Sequence, residues 1–396
     1  MIKRISKIIF LLLIFYLGFL LGDSDLMGSK YPGYNSIINK ENEEIINQEE
    51  IDFSLFWDAW KTVEDQYTIE QLDYKKMVYG AISGMVNSLD DPYTVFLTPE
   101  ENKMFNQDMS GKFGGIGAEI GFRDGFLTVI TPLKDSPSQK AGLLAGDIIL
   151  KIDDEEIIGA NVDKAVYLIR GEKGTKVTLT ISREGTDELK KIEIIRDIVV
   201  VKTVEWEMMG NIAYINISQF SEDTSVEFDS YINEILIKDP KGIIIDLRNN
   251  SGGYLDDTEE IASRFINKGD AIVIESYKNN KEIHKSKGGQ KFGEIPVVVL
   301  INEWSASASE ILAGTLKDNG KAKLVGEKTF GKGLVQVMRD LKDGSAIKIS
   351  VSRWLTPNGV DINKSGIEPD FKIEFTEDDY INERDPQLEK ALEILR

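Results

Sequence analysis

Apolar residues run without a break from Ile8 to Gly22, with Lys3, Arg4 and Lys7 before them and Asp23 and Asp25 after. A basic flank followed by an apolar core reads as a signal or anchor whose positive end stays inside, so residues 1–22 are expected to carry the rest of the chain out of the cytoplasm. The run falls short of the ~20 residues of a full span, which favours a signal peptide, yet no small-x-small cleavage site is evident. From 23 to 50 the periodicity vanishes into Asn, Glu, Ser, Gly and Lys, the composition of an extended linker. Between Phe53 and Val86, Phe56, Trp60 and Val63 and then Met77, Ala81, Ile82 and Met85 recur at helical spacing. They predict two amphipathic helices before the turn at Asp90-Asp91-Pro92, within a helical segment spanning 51–106.

Beyond Gly111 the pattern shortens. Strands over Leu127–Ile130, Asp147–Ile152 and Val177–Ser182 surround short helices near Ser138–Ala141 and Val162–Ile169, which predicts a compact β-rich module over 107–197. From Val204 strands and helices alternate: Ile212–Ile217, a helix around Val226–Ile237, Gly242–Leu247, a helix over Asp256–Ile266, Val297–Ile301 and a helix from Ser307 to Leu316. That alternation predicts an α/β domain with a largely parallel sheet over 198–375, closed by hairpin strands around Asp343-Gly344 and Pro357-Asn358-Gly359 and followed by a helical tail over 376–396. No internal repeat is present.

Composition narrows the chemistry. A chain of 396 residues, 41% hydrophobic, is long enough for more than one core. A formal net charge of -20 argues against nucleic acid as a partner and against attraction to an anionic surface. With no cysteine, thiolate nucleophiles and thiolate metal sites are excluded, and nothing in the pattern calls for a cofactor or metal.

A candidate site then stands out. The apolar strand Ile295 to Asn302 is followed by Ser305-Ala306-Ser307-Ala308-Ser309-Glu310 and the apolar positions Ile311, Leu312 and Leu316, so serines stand at the start of a helix. Three exceed what capping needs, and free N–H groups at a helix start favour a developing oxyanion. The only histidine, His284, lies in a lysine-rich stretch that reads as an exposed hairpin, so a Ser-His-Asp triad is not expected. Lys332, between Gly331 and Gly333, is the candidate base. It must become neutral near pH 7 to 8, a fall of roughly three pH units from about 10.4, equivalent to some 4 kcal/mol, for which burial is the available cause. The surrounding Gly326–Gly333 also approaches G-x-x-x-x-G-K, but Gly333 replaces the magnesium-binding Ser or Thr and a strand follows, so nucleotide binding is rejected. Strand alternation puts Gln336 on the side of Lys332, where its amide can orient the amine. Asp246 to Gly253 is a second strand-to-turn junction whose glycine N–H groups suit an oxyanion hole.

Taken together, Ser305–Glu310, Gly326–Gly333 with Gln336, and Asp246–Gly253 resemble the carboxyl-terminal processing (tail-specific) serine peptidases, from about Phe53 to the C-terminus. The resemblance implies an α/β catalytic core of the ClpP/crotonase-like type, Ser307 as nucleophile, Lys332 as base and Gln336 as its positioner. It also implies an oxyanion hole from the N–H of Ala308 and of Gly252 or Gly253. The β-rich module looks like a PDZ domain, in which Gly114, Gly115, Ile116 and Gly117 would hold a substrate's terminal carboxylate and Arg170 would couple the bound tail to the active site. Asp318 aligns with an acidic residue sometimes implicated in activity and is read as structural. Ser251 and Trp304 depart from the family pattern, where proline and a small residue are frequent.

The expectation is therefore a membrane-tethered or exported endopeptidase that trims proteins with exposed C-terminal tails, its catalytic part extracytoplasmic. The competing reading is a non-catalytic PDZ scaffold that captures tails without cutting them. The helical segments at the two ends, Phe53–Val86 and Pro386–Arg396, are candidates for pairing protomers into a homodimer.

Overall fold

The computed structural model describes residues 52–396 apart from 70, 124, 158–161, 184 and 187. The expected anchor at 1–22 and linker at 23–50 lie outside the described residues, among which no helix is long and apolar enough to cross a membrane. The chain divides into two compact units, Met1–Met77 and Val78–Arg396. In the first, α1 (Ser54–Gln66) carries Phe56, Trp57 and Trp60 in edge and tilted ring contacts, and Trp60 stacks on Tyr74 at 6.2 Å. Tyr74 opens α2 (Tyr74–Asn87), so both expected helices are present.

The second unit leads from α2 through the Asp90–Thr94 turn into β1 (Val95–Leu97) and then into α3 (Pro99–Ser110), a helix the apolar periodicity did not reveal. Its signal is chemical instead. Thr98 caps it, Pro99 opens it, and Glu101 accepts the Thr98 N–H at 2.8 Å while the Thr98 hydroxyl accepts the Glu101 N–H.

The β-rich module follows: β2 (Lys112–Gly115), β3 (Ala118–Arg123), β4 (Phe126–Pro132), α4 (Pro137–Lys140), β5 (Ile148–Ile152), β6 (Glu155–Glu156), α5 (Val162–Ile169), β7 (Lys176–Ser182), β8 (Lys190–Ile195) and β9 (Asp197–Val200). Its antiparallel sheet runs β3-β4-β5-β7-β8, leaving β3 at an edge, while β2 pairs with β9. Alternation decides the interior: Val177, Leu179 and Ile181 of β7 point into a core with Val129, Leu143 and Ile149.

The α/β domain contains β10 (Val204–Met209), β11 (Ile212–Ile217), α6 (Thr224–Ile237), β12 (Gly242–Asp246), α7 (Leu255–Ser263), β13 (Ala271–Ser276), β14 (Lys281–Lys285), β15 (Val297–Ile301), α8 (Ala308–Asp318), β16 (Ala322–Gly326), β17 (Leu334–Asp340), β18 (Ala346–Leu355), β19 (Phe371–Lys372), α9 (Glu377–Ile381) and α10 (Pro386–Leu395). Its main sheet has the order β10-β11-β12-β15-β16-β19, parallel from β11 to β19 with β10 antiparallel at one edge. The central strands are apolar throughout because both faces are covered. Ile243, Ile245, Val297 and Val299 pack with residues of α6, α7 and α8, whereas Ile244, Val298 and Leu300 meet Leu388, Ala391 and Leu395 of α10. This corrects one expectation: the C-terminal helix spends its apolar stripe on its own sheet. A second sheet, β1-β18-β13-β14 with β17 on β18, holds the hairpin at Asp343-Gly344.

Parallel strands bring their C-terminal ends to one side. The loops after β12, β15 and β16 therefore converge, and these are the three segments singled out in the sequence.

Candidate active site

The structure sorts the three serines. Ser305 and Ser309 are fully buried, and their hydroxyls donate to the carbonyls of Leu247 and Asn250, each at 2.8 Å. They stitch the nucleophile loop to the β12 loop. Ser307 alone is partly exposed and stands at the N-cap of α8 with φ 55 and ψ -115, a region costly for any residue with a Cβ. A strained turn between strand and helix lifts its side chain out of the packed network.

Asn250, also fully buried, completes that stitching. Its amide donates to Ile217 O at 2.7 Å and accepts the Gly252 N–H at 2.9 Å, while its main-chain oxygen accepts the Ala306 N–H at 3.0 Å. At Gly252, with φ 103, a Cβ would lie 2.8 Å from Ser307 Cβ and 2.9 Å from Ala308 N. The glycine is thus required for the loop to lie against the helix start. Its own N–H is taken by Asn250. Gly253 bridges Phe220 through the groups of its neighbours, Phe220 N to Gly252 O and Tyr254 N to Phe220 O, so its N–H points the other way.

Glu310 is the residue the sequence reading did not single out. It is completely buried and accepts four hydrogen bonds: from Thr329 Oγ1 at 2.6 Å and Gly331 N at 2.8 Å on one oxygen, and from Ser307 N at 2.9 Å and Lys332 N at 3.0 Å on the other. One carboxylate oxygen therefore clamps the main chains of residues 307 and 332, whose amide nitrogens can be no further apart than those two bonds allow. Burial pushes the carboxyl above its usual range, and the four donors pull the other way. The available signal was the Ser-x-x-Glu spacing, a capping-box pattern that usually lies on a surface. The loop N–H groups that a nucleotide-binding turn would aim at phosphate are here committed to this carboxylate.

Lys332 is half-buried. Burial lowers its amine below the ordinary lysine range, the charge of Lys348 lowers it further, and that of Glu310 opposes both. The ammonium lies over the Tyr93 ring at 5.4 Å, Trp354 Nε1 donates to Lys332 O at 3.1 Å, and Gly331 and Gly333 are pressed against the main chain of 363–366. The flanking glycines thus serve close packing. Gln336 does not reach the lysine in this arrangement: its amide donates to Leu334 O at 3.0 Å and meets Ser350 Oγ at 3.5 Å. A register shift between Val335 and Gln336 breaks the strict alternation on which the expected common side rested.

Asp246 and Arg248 anchor the base of the β12 loop. Tyr214 Oη donates to Asp246 at 2.7 Å, and Arg248 binds the same carboxylate and Asp385 at the N-cap of α10. Asp318 accepts the Asn358 N–H at 2.9 Å, a turn-holding contact.

In the β-rich module, Ile116 is a core residue, and Gly114 touches Gly171 main chain so closely that a Cβ would lie 2.0 Å from its oxygen. Gly114 and Gly115 lie in the β2–β9 ladder, and Gly117, with φ 68, abuts Ser136. Arg170 is 16% exposed, pairs with Asp108 at 2.6 Å and stacks over Phe113 at 4.4 Å, while its Nη1 is buried without a partner.

His284 requires a correction. It does sit on the β13–β14 hairpin, but its ring is held between Glu259 at 2.6 Å and Glu275 at 3.2 Å, with Ser352 donating to Glu275. Two mostly buried carboxylates need the imidazole between them. His284→Ala is expected to lower folding stability by about 2 kcal/mol, read from the denaturant midpoint. An unchanged midpoint would mean the carboxylates find water instead.

Sequence comparisons agree with this layout. The profile of Peptidase family S41 matches residues 211–373, a PDZ domain profile matches 128–183, and that of the activating protease CtpB N-terminal domain matches 24–101. A probable CtpA-like serine protease of Staphylococcus epidermidis is 44% identical over 312 residues, 78% of this chain and 63% of that protein. The carboxy-terminal processing protease CtpA of Bacillus subtilis is 42% identical over 318 residues, covering 80% and 68%. The solved photosystem II D1 C-terminal processing protease aligns with a TM-score of 0.52 at 30% identity, over 81% of this chain and 92% of that one. The chain thus spans a little under two thirds of the length of the staphylococcal relative.

Proposed function

The chain belongs to peptidase family S41, among the carboxy-terminal processing proteases, and from that premise we propose that it is a serine endopeptidase that cuts exported proteins near their C-termini. Ser307 attacks the scissile carbonyl, Lys332 takes the hydroxyl proton and later returns it to the leaving amine, and water then releases the acyl group. The Ala308 N–H and, now that Gly252 is committed to Asn250, the Gly253 N–H are the donors offered to the oxyanion. The observation that carries the reading is the Glu310 clamp, which holds a strained, partly exposed serine and a lysine of lowered basicity on one carboxylate.

Catalysis in this scheme needs Lys332 to leave the Tyr93 ring and turn toward Ser307, with Gln336 following to receive its N–H. The module over 107–197 receives the tail: an extended C-terminus adds to the free edge of β3, with its carboxylate on the N–H groups of Ile116 and Gly117 at the β2–β3 turn, since Gly114 and Gly115 belong to the β2–β9 ladder. Arg170, mostly enclosed and paired with Asp108 of α3, is suited to pass that event to the core over 198–375. Export or anchoring through residues 1–22 places the activity outside the cytoplasm, and a homodimer is proposed only through the helical segment at 51–106.

The test uses the full chain. A fluorophosphonate probe is expected to form an adduct on Ser307, found by peptide mass spectrometry, and a reporter with an apolar unstructured tail is expected to be cut while the same reporter with an acidic tail survives. Tail binding with neither adduct nor cleavage would leave the scaffold reading standing.

A further inference from the structure

A serine and a lysine can open any peptide bond, so the choice of bond falls to the walls around them. Resting on Ser307 as the nucleophile, we propose that Trp304, with Phe330 beside it, is a specificity-determining residue: the two rings form an apolar shelf at the mouth of the active site that seats a large apolar side chain of the substrate next to the scissile bond.

Each of the three loops that follow β12, β15 and β16 carries one group of the catalytic scheme and one exposed aromatic. Tyr254, 38% exposed, follows Gly253; Trp304, 59% exposed, stands three residues before Ser307; Phe330, 49% exposed, stands two before Lys332. Their chain neighbours turn inward, since Ser305, Ala306 and Thr329 are all buried. Of the five tryptophans in the chain, Trp304 alone is largely exposed, although an indole is a side chain that folding ordinarily covers. A single exposed apolar residue needs no explanation. Three on adjoining loops around one nucleophile make a patch, and such patches mark places where something binds.

Hydrogen bonds hold the Trp304 turn between the other two loops. The Phe330 N–H donates to Ser305 O at 3.1 Å, which ties the lysine loop to the residue next to Trp304. On the other side, Asn302 Oδ1 accepts the N–H groups of Trp304 at 3.2 Å and of Asn249 at 2.9 Å, and the Asn302 amide donates to Asn249 Oδ1 at 2.8 Å. Trp304 thus stands on a turn pinned both to the loop of the base and to the loop that offers the Gly253 N–H. An extended substrate advances about 3.4 Å per residue, so a carbonyl set on Ser307 carries a neighbouring side chain over this rim. The exposed carboxylate of Glu303 stands beside Trp304 and disfavours an acidic occupant. A large apolar side chain, by contrast, loses water contact against the rings at no electrostatic cost.

The test uses the full chain and two reporters with the same unstructured tail and the same final residues, so that capture by the β-rich module is held constant. Upstream of those residues one tail carries Phe and Leu and the other carries Ala. The wild-type chain is expected to cut the Phe/Leu tail with a kcat/KM about tenfold above that of the Ala tail. Trp304→Ala brings that ratio down to about two, and Trp304→Phe keeps most of it. Phe330→Ala is the second variant should Trp304→Ala not fold, and it lowers the ratio to about four. Fluorophosphonate labelling of Ser307 is read alongside, which separates damage to the nucleophile from a change in selection. A wild-type ratio near one, or folded Trp304→Ala and Phe330→Ala proteins that both keep the wild-type ratio, overturns the shelf and leaves the Ser–Lys reading intact. A wild-type chain that takes no label and cuts neither tail overturns both.

Discussion

Ser307→Ala and Lys332→Ala are each expected to lower the tail-cleavage rate by at least about 10⁴-fold, and the double variant to be no worse than either single one. Residues that act as one unit lose their joint effect when either is removed. Ser307→Ala is also expected to fold as well as the parent, because its hydroxyl lies outside the buried bonds that Ser305 and Ser309 make to Leu247 and Asn250. It even leaves a positive φ unrelieved, so no stability is gained by deleting the oxygen. The pH dependence follows from the lysine. Burial and then Lys348 lower its amine, so the competent neutral form accumulates as pH rises through that lowered value, and the rate climbs toward an alkaline plateau. Steady-state cleavage of a tailed reporter checks both points; a Lys332→Ala protein within tenfold of the parent rate would falsify the base assignment.

The second large effect is at Glu310. Glu310→Ala leaves the N–H groups of Ser307, Gly331 and Lys332 and the Thr329 hydroxyl without an acceptor in a fully buried place, a loss of about 4 kcal/mol. Glu310→Gln is the sharper test because it keeps the shape. An amide presents one accepting oxygen and one donating NH₂, whereas all four partners donate, so either the 307/332 pair or the 329/331 pair faces a second donor. Gln is expected to cost about 2 kcal/mol and at least 10²-fold in rate, since a displacement of about 1 Å between nucleophile and base is enough for that. Stability by denaturant titration and rate by reporter cleavage separate the two consequences. A Gln variant that keeps the parental rate would mean the two main chains hold their spacing without the clamp.

Much of the site was legible because its residue types are uncommon in their settings. A serine string at a helix start, a lysine between glycines and the lack of any suitable histidine leave few chemical options. The sheet was legible too, since five-residue runs such as Val297–Ile301 and Gly242–Asp246 are buried on both faces and so read as continuous apolar strands. Helix α3 was not legible by periodicity because a single residue in it, Asn102, is buried; only its capping box marked it. The enclosure of His284 was missed for a related reason: the stretch around it is lysine-rich, and the carboxylates that enclose it come from Glu259 and Glu275, on other elements.

By itself, the order of residues determined the two kinds of layer, the loops that converge at the candidate site and the candidate groups for its chemistry. Those properties depend on side-chain type and on periods of two and 3.6, which a linear string records in full. Only the tertiary structure decided which serine is left outside the buried network, which glycine keeps a free N–H and that Glu310 is a clamp. Each of these depends on groups tens to hundreds of positions apart brought within a few ångströms, where burial and a neighbour's charge or hydrogen bond change what a side chain does.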